Sequence, residues 1–269
     1  MLPYFDSHLH LQSPKCVDQA QQWIEQAHAV GVQQFVINGT SPDDWPAVSE
    51  LANTFPELVL PSFGMHPWEF VQGSTRWDSD SWFVELRDYL HRYPHACIGE
   101  CGLDRWMENP DITTQSRAFS MQLELAAAFN LPISIHVLNA WGLCVETLKN
   151  SPLPARGIML HSYSGSTETA KQLLDFGAYF SFSGHFLHQR KAALRETYTQ
   201  LPLDRLLIET DAPDMLGPED SLIHADSAPL NHPANLIGVA EGLAATLGIP
   251  EETLASQLEQ NFHRYFLQA

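Results

Sequence analysis

Eight short apolar runs rich in β-branched and aromatic residues, each separated from the next by a stretch with helical spacing, constrain this chain more than any other feature. The runs are Tyr4 to His8, Gln34 to Asn38, Val59 to Phe63, Ala96 to Glu100, Ile133 to His136, Gly157 to His161, Ala178 to Ser183 and Leu206 to Glu209. Between them lie segments such as "CVDQAQQWIEQAHAVG". There Val17, Ala20, Ile24 and Ala27 recur three and four residues apart, and Gly31 offers a helix C-cap. The stretches "SWFVELRDYLHRY", "QSRAFSMQLELAAAF" and "STETAKQLLDFG" repeat that pattern. Alternation of this kind specifies an α/β fold with a parallel sheet, and eight units specify a (β/α)8 TIM barrel. A length of 269 residues suits a single domain spanning 1–269. The closing stretch "NHPANLIGVAEGLAATLGIPEETLASQLEQNFHRYFLQA" predicts two C-terminal helices, broken at Pro250, that complete the outer layer.

In such a barrel the chemistry sits at the C-terminal ends of the strands, and the polar residues collect there. The first run ends in His8 and His10, two apart, so an extended chain presents both imidazoles on one face. The third runs into "GMHP" with His66, and the fourth ends in "IGECGLD" with Glu100 and Asp104. The fifth ends at His136, the sixth at His161, and the eighth at "IETDAPD" with Glu209 and Asp211. Imidazole nitrogens with carboxylate oxygens suit zinc, manganese or cobalt and do not exclude magnesium. Two ions about 3.5 to 4 Å apart can share a bridging carboxylate, for which Glu100, on a central strand, is the natural candidate. Bound ions of this kind lower the pKa of water towards about 7, so the chemistry is hydrolytic, with Asp211 placed as ligand and proton acceptor.

The balance of 14 Lys+Arg against 32 Asp+Glu gives a formal charge of -18, which repels polyanions at long range. Any contact with nucleic acid must therefore be local. Cys16, Cys97, Cys101 and Cys144 fall in neither a CxxC pair nor a zinc-finger spacing and read as reduced, mostly buried thiols. The start "MLPYFDSH" lacks the features of a signal peptide, and no apolar run approaches the roughly 18 residues of a membrane helix. A soluble, cytoplasmic protein with no membrane contact and no stable protein partner is expected. The long polar loops "HPWEFVQGSTRWDSD", "LDRWMENPDITT" and "DAPDMLGPEDSLIHADSAPLNHP" follow the third, fourth and eighth runs. Their tryptophans, Trp68, Trp77 and Trp106, either stack unpaired bases or anchor the loops to the rim.

The motifs "DSHLHL", "GMHP", "GECGLD", "PISIH", "LHSYSG", "ETDAP" and "NFHRYF" resemble the TatD family of metal-dependent hydrolases, among the amidohydrolase-type barrels. The likeness runs from Asp6 to Phe266. "GECGLD" and "ETDAP" at their separation carry its specificity, because HxH alone is shared by many metallohydrolases. The resemblance implies two divalent ions (Zn, Mn or Mg) held by His8, His10, Glu100, His136, His161 and Asp211, with Glu100 bridging. It implies that His66 is an additional active-site histidine that steadies the scissile phosphate while Asp211 manages the proton. The implied activity is that of a TatD-type deoxyribonuclease trimming DNA from the 3′ end, with strand ends or short oligonucleotides as substrate.

Three departures bear on the substrate rather than on the metals. Arg105 stands where the family usually has an aromatic residue, and it either contacts a phosphate or forms a loop salt bridge. Leu138 and Asn139 replace an Arg-acid pair, and Gln12 replaces an acidic residue. The missing cation at Leu138 keeps open an amide, lactone or small phosphoester hydrolase of the wider superfamily. A metal-containing binding protein without turnover is the remaining alternative.

Overall fold

Eight parallel strands hydrogen-bond in chain order in the structure, a computed structural model that describes residues 2–77, 79–224 and 229–268. They are β1 (Tyr4–Leu9), β2 (Val32–Asn38), β3 (Val59–Phe63), β4 (Cys97–Asp104), β5 (Ile133–Leu138), β6 (Met159–Leu160), β7 (Tyr179–Ser183) and β8 (Leu206–Glu209). The helices that alternate with them are α1 (Ala20–Ala29), α2 (Trp45–Thr54), α3 (Ser81–Arg92), α4 (Ile112–Phe129), α5 (Trp141–Asn150), α6 (Thr167–Leu174) and α7 (Ala192–Thr199). Two more, α8 (Leu236–Leu247) and α9 (Glu251–Phe262), follow β8. This is the (β/α)8 barrel expected from the alternation. Asp78 in the loop after β3 and residues 225–228 in the loop after β8 lie outside the described residues.

The first and last strands bring the ring nearly to closure through a short set of bonds. Asp211 N–H donates to His8 O at 3.0 Å and His10 N–H to Ala212 O at 2.7 Å. Ser7 Oγ donates to Ile208 O, and the buried Asp6 carboxylate accepts from both the backbone N–H and the hydroxyl of Thr210. These bonds sit directly beneath His8, His10 and Asp211, so closing the barrel also positions the site.

Inside the barrel an apolar floor lies below a polar top. Phe5, Val36, Cys97, Met159, Tyr179 and Leu207 form the floor. Strand side chains alternate faces, yet Phe5 and His8, three residues apart, both face inwards, as do Cys97 and Glu100. Irregular pairing makes this geometry possible. Asp6 to Leu9 advances three residues against two of β2, from Phe35 to Ile37. Likewise Ile98 to Cys101 advances three against two of β5, from Ile133 to Ile135. A bulge re-aims the side chains that follow it, and here it swaps hydrophobic floor for site residue on both strands.

The sequence "GECGLD" also has a steric reason. Gly102, at φ 137°, runs so close to β5 that a Cβ would lie 2.0 Å from His136 O. No other residue fits there. β4 consequently continues four residues beyond the predicted end at Glu100, to Asp104. β6, predicted over 157–161, forms ladder pairs only at Met159–Leu160, because the backbone turns into the left-handed region at Ser162, φ 42°.

The two C-terminal helices form as predicted. Gly248, at φ 67°, ends α8 and Pro250 precedes α9. The tail does more than complete the outer layer: Phe262, Tyr265 and Phe266 pack against the apolar floor and cap the barrel from below. Tyr265 Oη donates to Ile133 O at 2.8 Å and accepts from Ile133 N–H at 2.9 Å. Arg156 Nη1 donates to Tyr265 O and fastens the turn. Phe262 is fully buried against Phe5, at a ring separation of 4.9 Å. Phe262→Ala is expected to cost about 3 to 5 kcal/mol in urea unfolding. A cost below about 1 kcal/mol would show that the floor holds without its cap.

Among the described residues no helix is long and apolar enough to cross a membrane. The four cysteines are buried and unpaired, as expected.

Candidate metal centre

The strand ends bring His8, His10, His66, Glu100, His136, His161 and Asp211 into one buried cluster whose centre is the Glu100 carboxylate. Glu100 Oε2 lies 3.3 Å from His8 Nε2 and 3.1 Å from His10 Nε2. Its other oxygen, Oε1, lies 2.9 Å from both His136 Nδ1 and His161 Nε2, and 3.2 Å from His66 Nε2. Asp211 Oδ1 approaches the first pair alone, 3.4 Å from His10 Nε2 and 3.7 Å from His8 Nε2. The seven groups thus divide into two lobes that share one carboxylate.

The partners on the far side of the rings decide which nitrogen faces the centre, by hydrogen bonds for His8, His10 and His136 and by the approach of a carboxylate for His161. His10 Nδ1–H donates to Asn38 O at 2.7 Å, which turns Nε2 towards the centre. His8 Nδ1 lies 2.8 Å from Ser134 Oγ, and the His8 ring stacks on His161 at 4.0 Å. His136 is turned the other way: its Nε2–H donates to Asp104 Oδ2 at 3.1 Å and Nδ1 faces Glu100. His161 Nδ1 lies 3.4 Å from Glu209 Oε1, so its Nε2 faces the centre. Carboxylates and carbonyls behind metal-facing imidazoles fix ring and tautomer in this manner. His66 differs from the other four. Trp68 N–H donates to His66 Nδ1 at 3.1 Å, so the ring proton sits on Nε2, which donates to Glu100 Oε1. In that state His66 offers the centre a proton and not a lone pair.

Electrostatics agree with a site organised around Glu100. Burial pushes the Glu100 carboxyl up, but His66, His161 and His8 outweigh it and hold the group well below the usual range. Asp104, despite burial, is held at about 2 by its bonds from His136 and Trp68. Burial lowers His66 to about 4, which keeps it neutral at pH 7. Burial lowers His10 and His161 as well, yet the carboxylates facing them raise both well above an ordinary histidine. Clustered imidazoles facing an ionised carboxylate, two of them drawn towards protonation by it, match the donor chemistry of a divalent cation, which competes with protons for the same nitrogens.

The other candidate residues lie outside the cluster. Arg105 is exposed on the loop after β4, held by its backbone N–H to Leu138 O at 2.9 Å, and its guanidinium has no ion-pair partner among the described residues. Gln12 is buried and donates to Asn38 O and Asp44 Oδ2. Trp77 is a rim anchor: its Nε1–H donates to Glu69 Oε2, and it packs on the core. Trp68 and Trp106 are 57% and 73% exposed at the mouth, and Trp68 Nε1–H donates to Asp104 Oδ2 at 2.7 Å. Sequence reasoning noted Asp104 and Glu209 at strand ends without giving them a role, and it passed over Asn38 and Ser134. The only signal for the last two was a polar residue inside an apolar strand.

Fold and donor set define a class, that of metal-dependent hydrolases built on a (β/α)8 barrel. The TatD related DNase family profile matches residues 5–267, and the chain belongs to that family. It is 31% identical over 264 residues to an uncharacterized metal-dependent hydrolase, YabD, of Bacillus subtilis, covering 97% of this chain and 98% of the relative. It is 29% identical to the 3'-5' ssDNA/RNA exonuclease TatD of Erwinia tasmaniensis, covering 97% and 99% of the two chains. The crystal structure of YJJV, a TatD homologue from Escherichia coli, superposes with a TM-score of 0.87 at 26% identity, over 99% of this chain and 98% of that one.

Proposed function

We propose that this enzyme removes nucleotides from the 3′ ends of single-stranded DNA, using two divalent ions. His8, His10 and Asp211 would hold one ion and His136 and His161 the other, with Glu100 as the carboxylate both would share. The observation that supports this reading most is the division of Glu100, with one oxygen turned to His8 and His10 and the other to His136 and His161. When bound, the ions supply positive charge to a phosphate oxygen and activate water. The chain supplies the rest. His66 keeps its Nε2 proton on Glu100 and orients that carboxylate, and it can steady a phosphate only by exchanging that bond. Asp211 lies at the mouth end of the cluster with its carboxylate held ionised, despite burial, by His10 and His161, and so can accept a proton. Trp68 and Trp106 offer exposed rings for an unpaired base.

The net charge of -18 favours a strand end over a long duplex. A duplex would lay many phosphates against a repulsive surface, whereas an end need place only a few at the centre. The test compares a labelled single strand, a blunt duplex and a closed circle, with magnesium or manganese added. The single strand should be shortened fastest and the circle left intact. A circle cut as fast as the strand would refute end-directed action. Cleavage of a small aryl ester with no strand cut would transfer the enzyme to the amide and lactone hydrolases. Arg105 is the exposed cation nearest in sequence to the Asp104–His136 pair. Arg105→Ala should therefore raise KM for the strand more than it lowers kcat, and an unchanged KM would remove it from substrate binding.

A further inference from the structure

The cations at the mouth are few, and most of the connections that carry them cancel their charge. The connections that follow the eight strands hold five Lys and Arg residues: Lys15, Arg76, Arg105, Arg190 and Lys191. Lys15 Nζ is paired with Asp214 at 2.6 Å. Arg76 is paired with Asp43 and with Glu69. Arg105, Arg190 and Lys191 have no ion-pair partner among the described residues. Two of those three share the connection after β7, residues 184–191, "GHFLHQRK", which also carries His185 and His188 and contains no Asp or Glu. In a chain of net charge -18 this is a local reversal of sign.

The connection is held in a fixed shape. Arg195, on α7, donates from Nη1 to Phe186 O at 2.6 Å and to His188 O at 3.0 Å. His188 Nε2–H donates to Leu216 O at 3.1 Å, which ties the segment to the loop that begins at Asp211. Its positive field is felt within the segment: burial first, and then Lys191, His188 and Arg190, lower the pKa of His185. In a ring of eight strands β7 stands four strands from β3, so this cationic wall faces the aromatic one that carries Trp68 across the mouth.

We propose that the connection after β7 is the phosphate track for the nucleic-acid strand behind the reacting end, with Arg190 and Lys191 each meeting one backbone phosphate. This rests on the single-strand reading of the substrate and supplies the cationic contact that Leu138 does not. The terminal base lies toward Trp68, and the rest of the strand leaves across the barrel over residues 189–191. Nothing in this contact reads a base, so it is indifferent to sequence.

The test measures binding to the metal-loaded protein of labelled oligothymidylates, one of about three nucleotides and one of about twelve, over a range of salt concentrations. Phosphorothioate linkages at the 3′ end block cleavage. A single strand loses about 0.7 in the slope of log K against log salt for each phosphate contact removed, so the Arg190→Ala/Lys191→Ala double variant should flatten the slope for the longer strand by about 1.4. The shorter strand should change little, and the charge-keeping Arg190→Lys/Lys191→Arg double variant should restore the slope. Arg87→Ala, on the outer surface of α3, should leave it unchanged. An unaltered slope in the double variant, with the wild type still binding and trimming strands, would overturn the track and leave the single-strand reading intact. Equal weakening of both strands would place the two cations at the reacting end and overturn the track as well. A wild type that neither binds nor trims strands would overturn both.

Discussion

Glu100→Gln is expected to yield a folded barrel that has lost most of its metal and more than about 100-fold of its turnover, exceeding the roughly 10- to 100-fold typical of replacing a partner behind the ligands. Glutamine keeps the shape and both hydrogen-bonding atoms but removes the charge. In the native arrangement His8, His10, His66, His136 and His161 all face that one carboxylate within 3.3 Å. On the two-ion proposal the charge also lies between two cations, and an amide has only one oxygen to offer. Both lobes should therefore lose occupancy together, which elemental analysis after dialysis would register. His66 Nε2–H can still donate to the amide oxygen, so far-UV circular dichroism should be near native. A variant that retained two ions and native turnover would remove Glu100 from the centre.

How much of the fold was legible follows from where hydrophobic periodicity speaks and where it is silent. The eight strands and the helices quoted between them carry strong apolar patterns and occur where expected. Strand ends were read less well. "CGLD" after Glu100 holds no β-branched residue, so propensity gives no reason to continue β4. Its continuation comes from Gly102 approaching His136, a contact with a residue 34 positions away. The same limit applies to the tail. Phe262, Tyr265 and Phe266 are visible as aromatics, but only the folded ring shows that their partners are Phe5, Cys97 and Tyr179 in the floor.

The candidate site was legible for a different reason. A (β/α)8 barrel sends every strand end to one mouth, so residues scattered from position 8 to position 211 could be grouped before any contact was known. The division of labour among the histidines was not legible. His66 and His136 are the same residue type near neighbouring strand ends, and different far-side bonds, Trp68 N–H to His66 Nδ1 and His136 Nε2–H to Asp104, give the two rings opposite proton arrangements towards Glu100. Asn38 acts through its carbonyl oxygen, which every residue has. The cationic wall was hidden because counting Lys and Arg does not reveal which are neutralised. Lys15 lies 199 residues from the Asp214 that pairs with it.

Asp211→Asn is expected to separate chemistry from folding. Asp211 occupies the left-handed region, at φ 55°, where asparagine is among the few residues accommodated readily. Its backbone bonds, from its own N–H to His8 O and from Asp214 N–H to its carbonyl, do not involve the side chain and survive the change. The barrel closure that depends on them should persist, with a melting temperature close to native. The carboxylate is what disappears. Burial opposes its ionisation, but His10 and His161 overcome that and hold the group below the usual aspartate range, so in the native protein it is an anion beside His8 and His10. An amide at that position neither accepts a proton nor binds a cation with comparable strength. Turnover at saturating metal should fall by roughly 10² to 10⁴-fold, the range for a positioned base, with KM for a single strand changed much less. Metal content separates the two parts of the role. A variant with two ions bound and this loss of kcat assigns Asp211 chiefly to the proton, whereas one ion bound assigns it chiefly to the lobe of His8 and His10. Near-native kcat at saturating metal would exclude Asp211 from both.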